Sequence, residues 1–457
     1  MIEIHSLVSD IKLETSDLIK VLKYLNDNEW TPALYNTQKH LISLFEIDEN
    51  YNLAFRARRI RMKDMNFYPG DLFYKGNDIY YLTILSSERY NMDRIGTYYF
   101  YEDEPEKEEL EIGLITSDNV HNQERLLSFA DKVKEAIMAS IDGRKTRNMK
   151  FDWIQNRVGT PNLDKIKMDT ENKNNIKYSS ADTNDVEIDA SKIISDKNIR
   201  TLLLEINLAG FVRQRDLIMR RQKSSNELPK LLNELQSQKL LNTEYLLECK
   251  KTSSPLTRLT SKEKLETSEI GELICPSCSS KFKNENISEG YSCSEISKKL
   301  LKQSFWMTVY VTQVLLELGI NKDAILWNLS ESGEEVDILV EIFGRLWIFE
   351  LKDREFGSGD AYPLNYRKVR YRAEKSIIVT TEVVAKDAKK VFEELRKEAG
   401  IDRDLPVYIE GLENTKSKLI NELSFASLSY ANRKLFKLSE ISGYDLISLV
   451  AKKYSTN

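Results

Sequence analysis

The chain reads as a multidomain protein mixing α+β and α/β architecture, and three observations carry that reading. Its 457 residues exceed the roughly 250 to 300 at which a single core stops growing. Helical and strand periodicities alternate in the order αβββαβ through the last third of the sequence. A stretch rich in Asn, Asp, Lys and Ser, "NLDKIKMDTENKNNIKYSSADTNDVEIDASK", has little apolar periodicity and reads as a linker between folded parts.

Residues 1–155 mix helical periodicity ("DLIKVLKYLNDN") with aromatic strands ("DIYYLTIL", "IGTYYFYED") and an amphipathic helix, "QERLLSFADKVKEAIMASI". They form an α+β domain without a chemical motif. The polar linker occupies 156–196. From 197 to 265 three short helices precede the alternating strand "TEYLLEC", an order that resembles a winged helix-turn-helix. A third helix so placed can enter a major groove, with Arg213, Arg215, Arg220, Arg221 and Lys223 nearby to meet phosphates. A module that only mediates protein contacts is the alternative.

Composition narrows the function. Hydrophobic residues make up 41% of the chain and charged ones 30%, ordinary for a soluble globular protein. A net charge of -5 confines any nucleic-acid surface to a local patch. The first residues lack a basic-then-apolar signal pattern and the longest apolar run, "SFWMTVYVTQVLLELGI", is too short and too polar to span a bilayer. A cytoplasmic protein without membrane partners is expected. The three histidines all lie in the first third, which excludes a His general base or a Ser-His-Asp triad from the remainder. No GxxxxGK[ST] phosphate loop is present.

The four cysteines cluster between Cys249 and Cys293, a pattern that suits a local thiol role better than a secreted disulfide framework. Residues 266–294 contain "CPSC", in which Cys275 and Cys278 have the spacing of a zinc knuckle. A structural Zn²⁺ would draw its other thiolates from Cys293 and Cys249. Buried or free cysteines are the alternative.

Residues 295–412 carry the strongest signal. In "EEVDILVEIFGRLWIFELKD", 334–353, an isolated Asp sits in one apolar run and a Glu-x-Lys triplet ends the next. With Gly344-Arg345 as a two-residue hairpin turn, paired positions sum to 689 and Asp337 lies opposite Lys352. Strand alternation then puts Asp337, Glu350 and Lys352 on one sheet face. Two carboxylates suit Mg²⁺ or Mn²⁺, with the Leu351 carbonyl as a further oxygen ligand, and Lys352 can orient water or neutralise charge developing on phosphorus. A surface salt bridge between Lys352 and Asp337 is the bland alternative.

These residues resemble the PD-(D/E)xK nuclease superfamily, the restriction-endonuclease-like fold, whose members place an Asp on one central strand and Glu-x-Lys on the next. The surrounding αβββαβ order is similar to the superfamily core, over roughly a quarter of the chain. The resemblance implies a metal-dependent DNA endonuclease leaving a 5′-phosphate and a 3′-hydroxyl, with double-stranded DNA as partner and restriction or defence against foreign DNA as a fitting role. Many relatives carry a Glu early on the first core helix. Here that part, "KLLKQSFWMTVY", has no acid, and Glu335, on the face of Asp337, is the choice for an auxiliary ligand.

After the triad, "NYRKVRYRAEK" supplies Arg367, Lys368, Arg370, Arg372 and Lys375 as a candidate phosphate-gripping patch, with a solvated helix face as the alternative. Residues 413–457 read as helical. Two rival functions stay open: a DNA-binding regulator with a non-catalytic nuclease-like core, and a nuclease switched by an effector that the N-terminal domain senses. DNA versus RNA stays open as well, and a homodimer is compatible with either reading.

Overall fold

A computed structural model describes the chain apart from residues 1–2, 37–69, 87–107, 118–120, 141–152, 156–162, 168–175, 221–227, 332–333, 399–404, 443–444, 456–457 and a few further positions. The described residues form a mixed α+β protein with three sheets. The expected strand "IGTYYFYED", the turn residue Gly344, Arg221 and Lys223 lie outside the described residues.

The first sheet contains β1 (Glu3–Ser9), β2 (Gly70–Lys75), β3 (Asp78–Ser86), β4 (Glu108–Thr116) and β5 (Ile154–Gln155) in the antiparallel order β2-β3-β4-β1-β5. Helices Thr15–Asp27 and Asn122–Ser140 cover one face. There Leu18, Leu22, Phe129 and Val133 meet Phe73, Tyr80, Leu82 and Ile112 around Trp30. The opposite face, with Leu72, Ile79, Tyr81 and Ile115, is covered by Tyr430, Ala431 and Leu435 from the C-terminal part of the chain.

The described residues of the polar stretch 156–196 are part of the fold and do not form a linker. Leu163 and Ile166 are buried, β6 (Ile176–Ser180) pairs with a later strand, and Asp185–Ile194 is a helix capped by the Asn184 side chain. An edge strand is paired on one side only and tolerates the polar sequence "IKYSS", which hides it from an apolar pattern.

Helices Lys197–Ala209, Gln214–Arg220 and Leu228–Ser237 follow. They come with β7 (Val212–Arg213), β8 (Leu241–Glu248), β9 (Pro255–Leu259) and β10 (Asn286–Cys293) in the order β7-β10-β8-β9. Because β10 returns between β7 and β8, the expected boundary at 265/266 does not hold. The cysteine segment is an insertion between β9 and β10, within one unit. That unit does not stand alone, since Leu202, Leu203, Leu232 and Leu235 share a continuous core with Trp306, Val340, Trp347 and Val379.

The third sheet has the order β15-β14-β13-β12-β11-β6, built from β11 (Ile325–Glu331), β12 (Glu334–Ile342), β13 (Arg345–Lys352), β14 (Lys375–Thr380) and β15 (Val407–Glu410). β13, β14 and β15 run parallel, joined by the crossover helices Ser358–Arg370 and Lys386–Glu398. The first core helix expected across "KLLKQSFWMTVY" is broken into two, Glu295–Leu301 and Phe305–Glu317, because Gln303 and Ser304 adopt left-handed φ of 51° and 56°. Finally, Thr415–Ser442 is a 28-residue helix. Its Leu419 and Leu423 enter the core of the third sheet and its Tyr430, Ala431 and Leu435 enter that of the first.

Candidate active site on strands β12 and β13

The β12-β13 hairpin pairs Ile338 with Phe349, Leu339 with Ile348, Val340 with Trp347 and Ile342 with Arg345. Paired positions therefore sum to 687, not 689, and the register continues to place Asp337 across from Glu350 instead of Lys352. The turn lies one residue earlier than expected, with Phe343 in the left-handed region at φ 50°. Tyr430 stacks on its ring, the centroids 5.4 Å apart. The correction moves the pairing by two residues, so the faces are unchanged. Leu339, Leu346 and Ile348 share a core with Ala361 and Leu364 of helix Ser358–Arg370, whereas Ile338, Val340, Trp347 and Phe349 point into the other core. By the strand period, Asp337, Glu350 and Lys352 lie on the side of that helix.

Glu350 is the hub. Its side chain is 4% exposed, and its Oε1 lies 2.9 Å from Lys352 Nζ. Its Oε2 accepts from Arg367 Nη1, which helix Ser358–Arg370 brings to the site. Lys352 Nζ also lies 3.7 Å from Asp360 Oδ1. Asp360 in turn accepts from Nη1 and Nη2 of Arg354 at 2.9 Å each and from the Gly357 N–H at 3.1 Å, at the start of the helix. Asp337 Oδ2 accepts from the Leu351 N–H at 2.7 Å, an addition to the ladder that fixes its carboxylate at the strand end.

Electrostatics follow from this packing. Burial, together with the nearby Glu350 carboxylate, pushes the Asp337 carboxyl up to about 7, although the Leu351 N–H, Lys352 and Arg367 act against the rise. Desolvation works to lower the Lys352 ammonium, but Glu350, Asp337 and Asp360 outweigh it and its pKa is raised. Asp360 is also partly desolvated, yet the Arg354 guanidinium and the Gly357 N–H hold it below the ordinary range. Next along the chain, Asp353 lies 3.0 Å from Arg200 Nε, whose guanidinium also donates to the Ile194 and Ser195 carbonyls. The end of β13 is thereby tied to helix Lys197–Ala209.

Several expected site residues are placed elsewhere. Glu335 is exposed and pairs along β12 with Ser330. Among the described residues it joins no group of three carboxylates, thiols or imidazoles whose ligand atoms lie within 4.8 Å. Arg367 does not belong to a solvent-facing patch. Ala361, Leu364 and Arg367 follow one another at helical spacing on the buried face, and the guanidinium reaches Glu350. Lys375 is buried at the start of β14, where it meets Glu422 and sits 4.9 Å from the Trp347 ring centroid. Of the five basic residues, Arg372 is exposed and Lys368 and Arg370 are half-buried, with Arg370 Nη1 2.8 Å from Tyr366 Oη.

In the upstream unit, Arg213 pairs with Asp216 and Glu248 at 2.7 and 2.6 Å, and Arg220 with Glu205 at 3.1 Å. Cys293 is buried and donates to the Leu203 carbonyl at 3.3 Å, away from the other three cysteines. Sequence reasoning missed Asp360 and the inward turn of Arg367. The helical periodicity of Ala361, Leu364 and Arg367 could have disclosed the second.

No protein-family model matches the chain, and no curated protein matches it. Among solved structures, the crystal structure of protein VC1899 from Vibrio cholerae is similar at a TM-score of 0.29 and 11% identity, over 55% of this chain and 58% of that one. The chain thus spans little more than half of that protein, and the likeness carries no argument. Among the described residues no helix is long and apolar enough to cross a membrane.

Proposed function

We propose that the chain is a metal-dependent endonuclease that hydrolyses phosphodiester bonds in DNA, with Asp337, Glu350 and Lys352 as its catalytic residues. One observation carries the reading: two carboxylates stand on adjacent strands, Asp337 buried and close enough to Glu350 that its ionisation is hindered, with the Lys352 ammonium beside them. A divalent cation between the acids would relieve that repulsion, so the donor set fits Mg²⁺ or Mn²⁺, hard ions that prefer oxygen. Asp337 and Glu350 would hold it, Glu350 by giving up its contact with Arg367. When bound, such an ion supplies charge neutralisation at the scissile phosphate and a more acidic water.

Lys352, held between Glu350 and Asp360, is placed to keep an ammonium next to the developing phosphorane charge. Arg367, released from Glu350, would remain within the site as a second phosphate-facing cation. In this reading the third sheet and its crossover helices are a restriction-endonuclease-like core, and the unit from Asp185 to Cys293 is a winged helix whose sheet order is β7-β10-β8. Lys368, Arg370 and Arg372 are the remaining phosphate contacts of the basic segment.

One observation favours the switched version of this enzyme. Helix Thr415–Ser442 enters both the catalytic core and the N-terminal core, and its Tyr430 stacks on Phe343 at the turn of the catalytic hairpin. A ligand or protein that moves the N-terminal sheet would reach β12 and β13 through this contact. The test is incubation of the purified chain with duplex, single-stranded and branched DNA, with Mg²⁺ or Mn²⁺, in the presence and absence of cell extract. Cleavage that Lys352→Ala abolishes supports the enzyme. Duplex binding without cleavage under every condition favours a DNA-binding regulator.

A further inference from the structure

Two turns in the segment between β8 and β10 share one backbone. "CKKTSS", 249–254, closes the β8-β9 hairpin, and "CPSCSS", 275–280, closes a shorter one. In each, the cysteine N–H donates to the carbonyl five residues on, Cys249 to Ser254 at 2.9 Å and Cys275 to Ser280 at 2.8 Å. The serine four residues on donates back to the cysteine carbonyl, at 2.7 Å from Ser253 and 2.9 Å from Ser279. Both serines are left-handed, with φ of 55° and 61°. The flanking pairs also correspond, Glu248 with Pro255 and Ile274 with Lys281. Thr252 therefore holds the place in the first turn that Cys278 holds in the second.

The turns face each other. The sulfurs of Cys249, Cys275 and Cys278 and a carboxylate oxygen of Glu285 lie within 4.8 Å of one another. Cys249, Cys275 and Glu285 are buried, and the cysteines are free thiols. The Cys278 thiol donates to Glu285 Oε1 at 2.7 Å, while Glu285 Oε2 accepts from the Lys250 N–H at 2.7 Å. Glu285 is thus aimed by the backbone of one turn at the sulfur of the other.

We propose that Cys249, Cys275, Cys278 and Glu285 hold one tetrahedral Zn²⁺, with Glu285 supplying the fourth ligand in place of the sulfur that Thr252 lacks. Three soft sulfur donors select zinc over magnesium or calcium, and four protein ligands close the site to substrate, the arrangement of a structural centre. On binding, each thiol releases its proton to solvent. Departure of the Cys278 proton frees the Glu285 Oε1 lone pair that now accepts it. The ion would hold together a module whose buried apolar side chains, among the described residues, are Leu247, Leu259, Leu265 and Phe282 besides two of the cysteines, with Tyr245, Leu256 and Ile270 packed against them, a small core that a metal would reinforce.

Full-length protein purified without chelator should contain one zinc per chain. Competition with a chromophoric chelator should show Glu285→Ala binding zinc at least about 10- to 100-fold more weakly, since the loss of even an outer-shell partner costs that much. Thr252→Cys placed in that variant should restore the affinity, and cobalt substitution should give stronger thiolate-to-metal charge transfer than in the parent. These two variants keep all three native thiols, so the decision does not rest on cysteine substitutions that unfold the module. Cys293→Ala should leave zinc content unchanged. Folded parent protein that neither contains nor takes up zinc would overturn the site. Unchanged affinity in Glu285→Ala, or absence of zinc from folded Cys293→Ala, would overturn the ligand set.

Discussion

Replacing Asp337 by Asn should make the metal-free protein more stable at neutral pH while abolishing cleavage. An acid whose pKa is raised by folding binds its proton more tightly in the native state than in the unfolded chain. Its ionisation therefore costs stability, and the cost accumulates as pH rises from the unfolded value to the folded one. For Asp337 that window runs from 3.8 to about 7. About three pH units at roughly 1.4 kcal/mol each give a ceiling of about 4 kcal/mol. The carboxyl keeps some contact with solvent, so a gain of about 2 to 4 kcal/mol at pH 8 is expected. Asn retains an oxygen for the Leu351 N–H, which keeps the strand contact intact.

The assay is urea unfolding of parent and variant in EDTA at pH 5 and pH 8. At pH 5 only the first third of the window has been crossed, so the advantage of the variant should widen by roughly 2 kcal/mol between the two conditions. Titrating groups that do not face Asp337 are common to both proteins and cancel. Mg²⁺ at a hundred times its Kd should then raise the parent by about 2.7 kcal/mol and leave the variant almost unmoved. An Asn variant that is no more stable than the parent at pH 8, or a gap that does not change with pH, refutes the burial of the Asp337 carboxyl beside Glu350 as a source of strain. Equal stabilisation of both proteins by Mg²⁺ places the ion elsewhere.

Three further outcomes follow from the same geometry. Lys352→Ala should lower the cleavage rate by roughly 10²- to 10³-fold, as removal of a single charge-stabilising donor does, while duplex affinity measured by fluorescence anisotropy stays near the parent's. Glu350→Ala removes the carboxylate that both Lys352 and Arg367 contact, and should cost about 3 to 5 kcal/mol in urea unfolding, the scale for breaking a buried pair; a smaller cost for Glu350→Ala than for Asp360→Ala would contradict its place as the hub. Neutralising Lys368, Arg370 and Arg372 together should flatten the salt dependence of duplex binding by about 0.9 in log-log slope for each phosphate that is no longer neutralised, and an unchanged slope would make the segment a solvated face.

What could be read from the sequence divides along a physical line. The face shared by Asp337, Glu350 and Lys352 is legible because strand side chains alternate with a period of two. An error of two in the paired sum swaps partners without moving any side chain across the sheet. The partner itself is not legible. Turn chemistry favours Gly344 and Arg345, whereas the chain turns at Phe343, an aromatic residue in the left-handed region whose ring is held by Tyr430, 87 positions away in the sequence. Lys375 misleads for a similar reason: a lysine beside arginines looks solvated until Glu422 and Trp347 close over it. The cysteine segment shows the opposite failure. The repeated CxxTSS and CxxCSS pattern is present in the sequence and marks two matching turns, but ranking ligands by residue type favours Cys293, a core residue, over Glu285, a carboxylate. A shared backbone conformation is the better guide, because a turn fixes where a donor points and the side-chain chemistry then has only to suit the position.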